Sequence, residues 1–200
     1  MPRPPFILSR EAERAAIDRV IRDPTKQRLL YEMVDAVLRI SELGTVSRSD
    51  LASILAGLEV KDEGVWGRAT GWLAKLHAFS PDLSATVDEL AHHRNAVVRF
   101  NLCASLDQFP AEVAIPHLRR FLSDRSARVR GAVLNVAVKA GYRQLIPDFE
   151  AFLAEESDAE RQQDIRQAIA LLRNESFVRD GWQVRRLPNG DIESTPLINS

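Results

Sequence analysis

Four arginines, Arg68, Arg99, Arg130 and Arg161, recur at intervals of 31 residues. The stretch around the third carries the pattern most clearly. Ile115 to Lys139 reads as an amphipathic helix with Pro116 in its first turn, a break at Ser123-Asp124-Arg125-Ser126, and a second apolar helix. The same alternation stands one step earlier and one step later. A fixed period of this size is the signature of stacked supersecondary units. One such unit has more apolar surface than it can bury alone, so neighbours must stack and share a continuous core.

Helical periodicity extends the pattern in both directions. Ser9 is a plausible cap for a helix over 10–22, stopped by Pro24. Leu29, Leu30, Met33, Val34, Val37 and Leu38 place one apolar face on a helix over 25–43, which Gly44 closes. Ser49-Asp50 opens a third helix through Leu58. After a polar turn at 61–64, helices follow over 65–79 and 83–92, separated by Ser80-Pro81-Asp82, and then from Arg94-Asn95 through Leu106. Two more pairs occupy 111–123 with 126–140, and 143–155 with 158–173. The expected architecture is all-α, an α-solenoid of about five antiparallel helix pairs.

The character changes after Asn174. Asp180-Gly181 and Pro188-Asn189-Gly190 punctuate short alternating runs that contain Trp182, Val184 and Ile192. Asp-Gly and Asn-Gly between such runs are hairpin signals. The expected domains are a helical domain over 1–175 and a small C-terminal β-hairpin and tail over 176–200. An isolated hairpin is marginal in water, so it must dock on the last helices or on a partner.

Aligned at the 31-residue shift, Pro116, Asp124 and Arg130 lie over Pro147, Glu155 and Arg161. Asp62 and Arg68 keep the turn and the arginine; Ile54 and Ala85 stand at the proline positions, and His93 replaces the acid. In this spacing of proline, acidic residue and arginine, residues 60–173 resemble the HEAT repeat family. The short period is similar to its compact HEAT-like branch named after phycobilisome lyases. The resemblance implies second helices lining a concave face and a scaffold for protein partners. It does not imply bilin chemistry, because the lone Cys103 falls at an apolar position. Within and between repeats, the acidic residue and arginine are expected to pair and fix the stacking register.

Composition narrows the functional classes. The formal charge is −1 over 200 residues and the pI is near 6.4, without the global basicity of a dedicated nucleic-acid binder. One cysteine permits no intrachain disulfide and points to a reducing compartment. No run is long and apolar enough for a membrane span, and Phe6-Ile7-Leu8 is too short for a signal-peptide core. A cytoplasmic, bacterial protein is the expectation. His92-His93 lacks a second ligand pair at metal spacing, Cys103 has no base beside it, and there is no phosphate loop or nucleophile elbow. No catalytic residue, metal or cofactor is therefore assigned, and the chain is not read as an enzyme. The alternative is a nucleic-acid-binding HEAT-like protein, with Trp66, Arg68, Trp72 and Asp88 as DNA glycosylase-like residues; the charge argues against it.

The remaining reading is a non-catalytic protein–protein interaction module: an adaptor, an assembly factor or a toxin-neutralising partner. If Val129, Val133, Val136 and Ala140 face the core, Arg128, Gly131, Asn135 and Lys139 lie on another face. Shifting that stripe by the repeat gives Trp66, Ala69, Leu73 and His77, then Val97, Phe100, Ala104 and Gln108, then Ala159, Gln162, Arg166 and Ala170. The partner-binding set is Trp66, Val97, Phe100, Arg128, Asn135, Gln162 and Arg166. His117, Arg119, Arg120, Arg125, Arg128 and Arg130 precede an acidic stretch from Asp148 to Glu160, so the surface is expected to carry positive and negative halves, as protein partners favour.

Overall fold

The structure is a computed structural model and describes residues 9–80 and 83–197. Phe6-Ile7-Leu8, Pro81, Asp82 and the last three residues lie outside the described residues. The helices follow a HEAT-like arrangement, with a small antiparallel sheet at the C-terminal end. The chain divides into two compact units, Met1–Phe109 and Pro110–Ser200.

In the first unit, α1 (Arg10–Val20), α2 (Pro24–Leu43), α3 (Arg48–Leu58) and α4 (Glu63–Phe79) are followed by the short α5 (Ser84–Ala91) and α6 (Ala96–Cys103). Side chains satisfy the first amides of most of these helices. Ser9 accepts from Ala12 N–H, Asp23 from Thr25 and Lys26, Ser47 from Asp50, and Asn95 from Val97. Gly44 closes α2 at φ 67°, a left-handed conformation that glycine adopts without a Cβ penalty. The core runs from Ile17, Leu30, Met33 and Ile40 through Ile54 and Leu58 to Leu73, Leu76, Leu102 and Leu106, each at most 1% exposed. Gly57 lets α3 approach its neighbours: a Cβ there would meet Met33 Sδ at 2.8 Å and Ala69 Cβ at 2.9 Å.

α6 ends three residues earlier than its periodicity suggests, and Leu106–Gln108 forms a 3-10 turn instead. Ser105 lies in the break. Its buried hydroxyl donates to Thr70 Oγ1 at 2.7 Å, and Thr70 in turn donates to the carbonyls of Trp66 and Gly67. Asn101, 1% exposed, donates its amide to the carbonyls of Leu58 at 2.9 Å and Val60 at 3.3 Å. These bonds supply donors to the carbonyls at the end of α3 and tie α6 to it.

In the second unit, α7 (Ala111–Leu122) pairs with α8 (Ala127–Ala140), and α9 (Ile146–Glu155) with α10 (Ala159–Leu172). Pro116 lies inside α7 rather than in its first turn, because Pro110 starts the helix earlier. Its repeat mate Pro147 does open α9, behind a 3-10 turn at Arg143–Leu145. Phe121, Val129, Val133 and Phe149 are at most 1% exposed and form the centre of this unit.

The expected single hairpin is a three-stranded sheet: β1 (Phe177–Arg179), β2 (Trp182–Arg186) and β3 (Ile192–Pro196), each antiparallel to the next. Asp180 and Gly181, at φ 50° and 79°, make the two-residue turn that joins β1 to β2. The sheet docks on the helices. Phe177, Arg179, Trp182, Val184 and Arg186 share one face through the cross-strand register. Of these, Val184 is buried, Arg179 bonds Asp164 of α10, and Arg186 donates to the carbonyl of Val138 at 2.8 Å. Leu187 bonds Asp191 and Leu197 bonds Gly181 across β2 and β3. The alternation of an antiparallel ladder then turns the backbone of Pro196 outward, where a missing N–H costs no ladder bond.

Candidate partner-binding surface

Two of the repeated arginines, Arg99 and Arg130, brace their turns through main-chain carbonyls rather than through the expected acid. Arg130 gives its guanidinium to the main-chain carbonyl of Asp124 at 2.7 Å, while the Asp124 carboxylate accepts the N–H of Ser126 at 2.8 Å. Arg99, 4% exposed, likewise donates to the carbonyls of His93 at 2.7 Å and Arg94 at 3.2 Å, and His93 Nδ1 accepts the N–H of Asn95. His93 thus performs the acid's task at the acid's position. The side chain at the turn holds the N–H of the residue that precedes the second helix, and a side chain six residues on clamps the turn carbonyl. Asp62 keeps the first half, accepting from Gly64 N–H at 2.9 Å.

In the last repeat the motif slips by one residue. Glu156, not Glu155, accepts the N–H of Asp158, and Gln162, not Arg161, donates to the Glu156 carbonyl at 2.6 Å. Arg161 reaches the Glu156 carboxylate only at 3.8 Å. A repeat alignment by residue type selects the arginine and misses this slip, because the acceptor is a main-chain carbonyl that any residue provides.

The expected outward stripe of α8 is present. Arg128, Gly131, Asn135 and Lys139 are all exposed, while Val129, Val133 and Val136 on the other side are at most 4% exposed. On α10, Arg166 is exposed and donates to Gln162 Oε1 at 3.0 Å, and Gln162 is half-buried by its turn contact. The first unit departs from the expectation. Ala69, Leu73 and His77, at the corresponding positions of α4, are buried because α4 packs against α2, α3 and α6. Trp66 and Phe100 are half-buried and meet edge to face, with centroids 6.3 Å apart at 73°. That contact joins α4 to α6, and Val97 lies half-buried nearby in sequence. The aromatic pair therefore contributes to packing within its own unit.

Among the described residues, grooves indent the surface of both units. In the first, Ala52, Leu55 and Ala56 of α3 face Thr86 and Leu90 of α5 across about 320 Å³, with Glu59 and Glu89 also lining it. In the second, α8 and α10 enclose about 130 Å³, floored by Leu134, Phe152 and Ile165, with Arg130, Arg161 and Asp164 around it. Trp182, 47% exposed, was outside the sequence-derived set. It pairs directly with Arg179 across β1 and β2, so it stands beside the guanidinium that holds Asp164. The Asp164 carboxylate keeps Arg179 above the usual guanidinium range, against the opposing effect of desolvation.

Trp72 is 7% exposed, neither groove is lined by Trp66, Trp72 or Asp88, and the Asp88 carbonyl is bonded to His92 Nδ1. Cys103 is fully buried. Among the described residues no cluster of three metal-ligating side chains occurs, and no helix is long and apolar enough to cross a membrane.

Paired helices with a recurring turn motif and an exposed second-helix stripe define a helical-repeat protein. Residues 83–170 match the family model of HEAT repeats, and that stretch of the chain is built of HEAT repeats. Comparison with curated proteins gave no match, and neither did comparison with solved structures.

Proposed function

We propose that this chain is a non-catalytic protein-binding module, an adaptor or assembly factor that holds its partner on the second-helix faces of its repeats. HEAT repeats generally mediate protein–protein interaction, and repeat scaffolds present extended surfaces of this kind. The observation that carries the reading is the α8 stripe: four consecutive outward positions stay exposed on a helix whose other sides are packed. Arg128, Asn135, Gln162 and Arg166 are the contact residues of the second unit, with arginine as the usual energetic anchor of an interface. Trp66, Val97 and Phe100 form a separate, more apolar contact in the first unit. In this reading the helices through residue 175 are the binding element, and the sheet from 176 onward stabilises its last repeat.

The test is affinity capture from native extract, with and without nuclease, followed by calorimetry with the captured protein. Arg128→Ala combined with Asn135→Ala is expected to weaken binding more than tenfold, about 1.4 kcal/mol, with unchanged circular dichroism. Capture that disappears on nuclease treatment, or a folded double variant of unchanged affinity, would overturn the reading.

A further inference from the structure

We propose that the cleft between α8 and α10 receives an aliphatic side chain from an acidic segment of the partner. This deepens the reading of the second-helix face and rests on it. The cleft's volume, about 130 Å³, is close to that of the roughly 150 Å³ apolar cavity that takes a benzene. Its floor of Leu134, Phe152 and Ile165 is hydrocarbon. Its wall at Gly131 is open, since a Cβ built there meets nothing within 4 Å.

The charges around the cleft choose the occupant. Arg130 gives one N–H to the Asp124 carbonyl, and Arg161 meets Glu156 only at 3.8 Å. A guanidinium carries five donors, so both retain capacity for a carboxylate. Asp164, the acid in the lining, is engaged by Arg179. Arg128 and Lys139 extend the positive side along α8. On the α8 side, residues 110–143 hold seven Lys and Arg against two acids, a net charge of +5. Residues 144–173 on the α10 side hold seven acids against three arginines, so the positive wall is that of α8. A partner segment that seats an aliphatic side chain between the helices therefore brings its carboxylates against α8. A phosphate backbone would satisfy the guanidiniums but leave the apolar floor uncovered. The half-exposed Trp182, held next to Arg179 by strand pairing, offers the same segment an aromatic neighbour.

The decisive variant is Gly131→Leu, which extends a side chain into the cleft from its open wall, where a Cβ meets nothing within 4 Å. Leucine is also the better helix former, so the fold is not put at risk. Fluorescent peptides of alternating Glu and Leu, Lys and Leu, or Glu and Ser are titrated onto the full chain, with single-stranded DNA as a fourth probe. The Glu–Leu peptide is expected to bind most tightly. Gly131→Leu should weaken it more than tenfold at an unchanged or raised melting temperature, and Arg161→Glu should weaken it as well. No binding of the Glu–Leu peptide, tighter binding of the Lys–Leu or Glu–Ser peptide or of DNA, or indifference to Gly131→Leu would overturn the proposal. The captured partner separates this inference from the reading beneath it. If Arg128→Ala with Asn135→Ala releases that partner while Gly131→Leu retains it, the cleft is excluded and the face stands. If neither releases it, both fail.

Discussion

Removing Arg130 and Arg99 one at a time tests whether these arginines clamp turn carbonyls. Arg130→Ala deletes a charged donor from the Asp124 carbonyl at 2.7 Å in a half-buried setting. Hydrogen bonds to charged groups contribute about 1.5–3 kcal/mol, and partial exposure places this one near the lower limit. Arg99→Ala deletes donors from two carbonyls at a side chain only 4% exposed, so roughly twice that loss is expected. Alanine's helix propensity offsets little, since Arg is close to Ala on that scale. For a chain of this size, each kcal/mol shifts the melting temperature by about 2–4 °C. Thermal unfolding of the full chain by circular dichroism should rank the losses as Arg99→Ala, then Arg130→Ala, then Arg128→Ala. The slipped last repeat gives the sharper contrast. Gln162→Ala removes the 2.6 Å bond to the Glu156 carbonyl, whereas Arg161→Ala removes only a long ion pair at 3.8 Å whose arginine is 46% exposed, a geometry that places it near the surface-pair value of about 0–1 kcal/mol. Gln162→Ala should therefore cost more. A larger loss from Arg161→Ala would refute the slip, and equal, negligible losses from Arg130→Ala and Arg128→Ala would refute the clamp.

Val133→Asp buries a carboxylate at a fully buried position of α8 and should cost several kcal/mol; an unchanged urea midpoint would show that this helix is not core. Glycine-to-alanine changes should have opposite signs at two helical sites. Gly131→Ala, in open space, should stabilise by up to about 1 kcal/mol, and Gly57→Ala, against Ala69 Cβ at 2.9 Å, should destabilise; urea denaturation of the pair decides it. The Ser47 hydroxyl, and then the Arg39 guanidinium, hold the Asp50 carboxyl below its ordinary 3.8 against the effect of burial. A depressed carboxylate pKa contributes stability that is full above the unfolded value and is lost as pH falls through the folded one. Asp50→Asn should therefore flatten the loss of stability below 3.8 in an acid titration, and an unaltered acid limb would reject the contribution.

Much of the fold was written in local pattern. The 31-residue beat, the apolar faces spaced by 3 and 4, and the capping residues at Ser9 and Asn95 locate the helices, because these signals act within one helix or one turn. The third helix, expected to open at Ser49-Asp50, is capped two residues earlier by Ser47. Asp180-Gly181 announced a β-turn for the same reason. The exposed stripe of α8 was legible too, since the helix's apolar residues fix which face remains outside.

Tertiary contact decided the rest. The repeat shift alone places Ala69, Leu73 and His77 on the outward stripe; they are buried because α4 has neighbours in α2, α3 and α6. Asn101 and Ser105 read as ordinary polar residues until folding brings them to the Leu58 carbonyl and the Thr70 hydroxyl. The arginine recurrence showed that a position mattered but not what it touched. Its acceptor is a backbone carbonyl, invisible to side-chain patterning, and so Gln162 could replace an arginine one residue out of register. The cleft, with Leu134, Phe152 and Ile165 drawn from three helices, exists only once those helices pack. Sequence periodicity specifies which face of each helix is apolar, whereas a cavity or a hydrogen-bonded turn depends on the distance between faces, which packing alone sets.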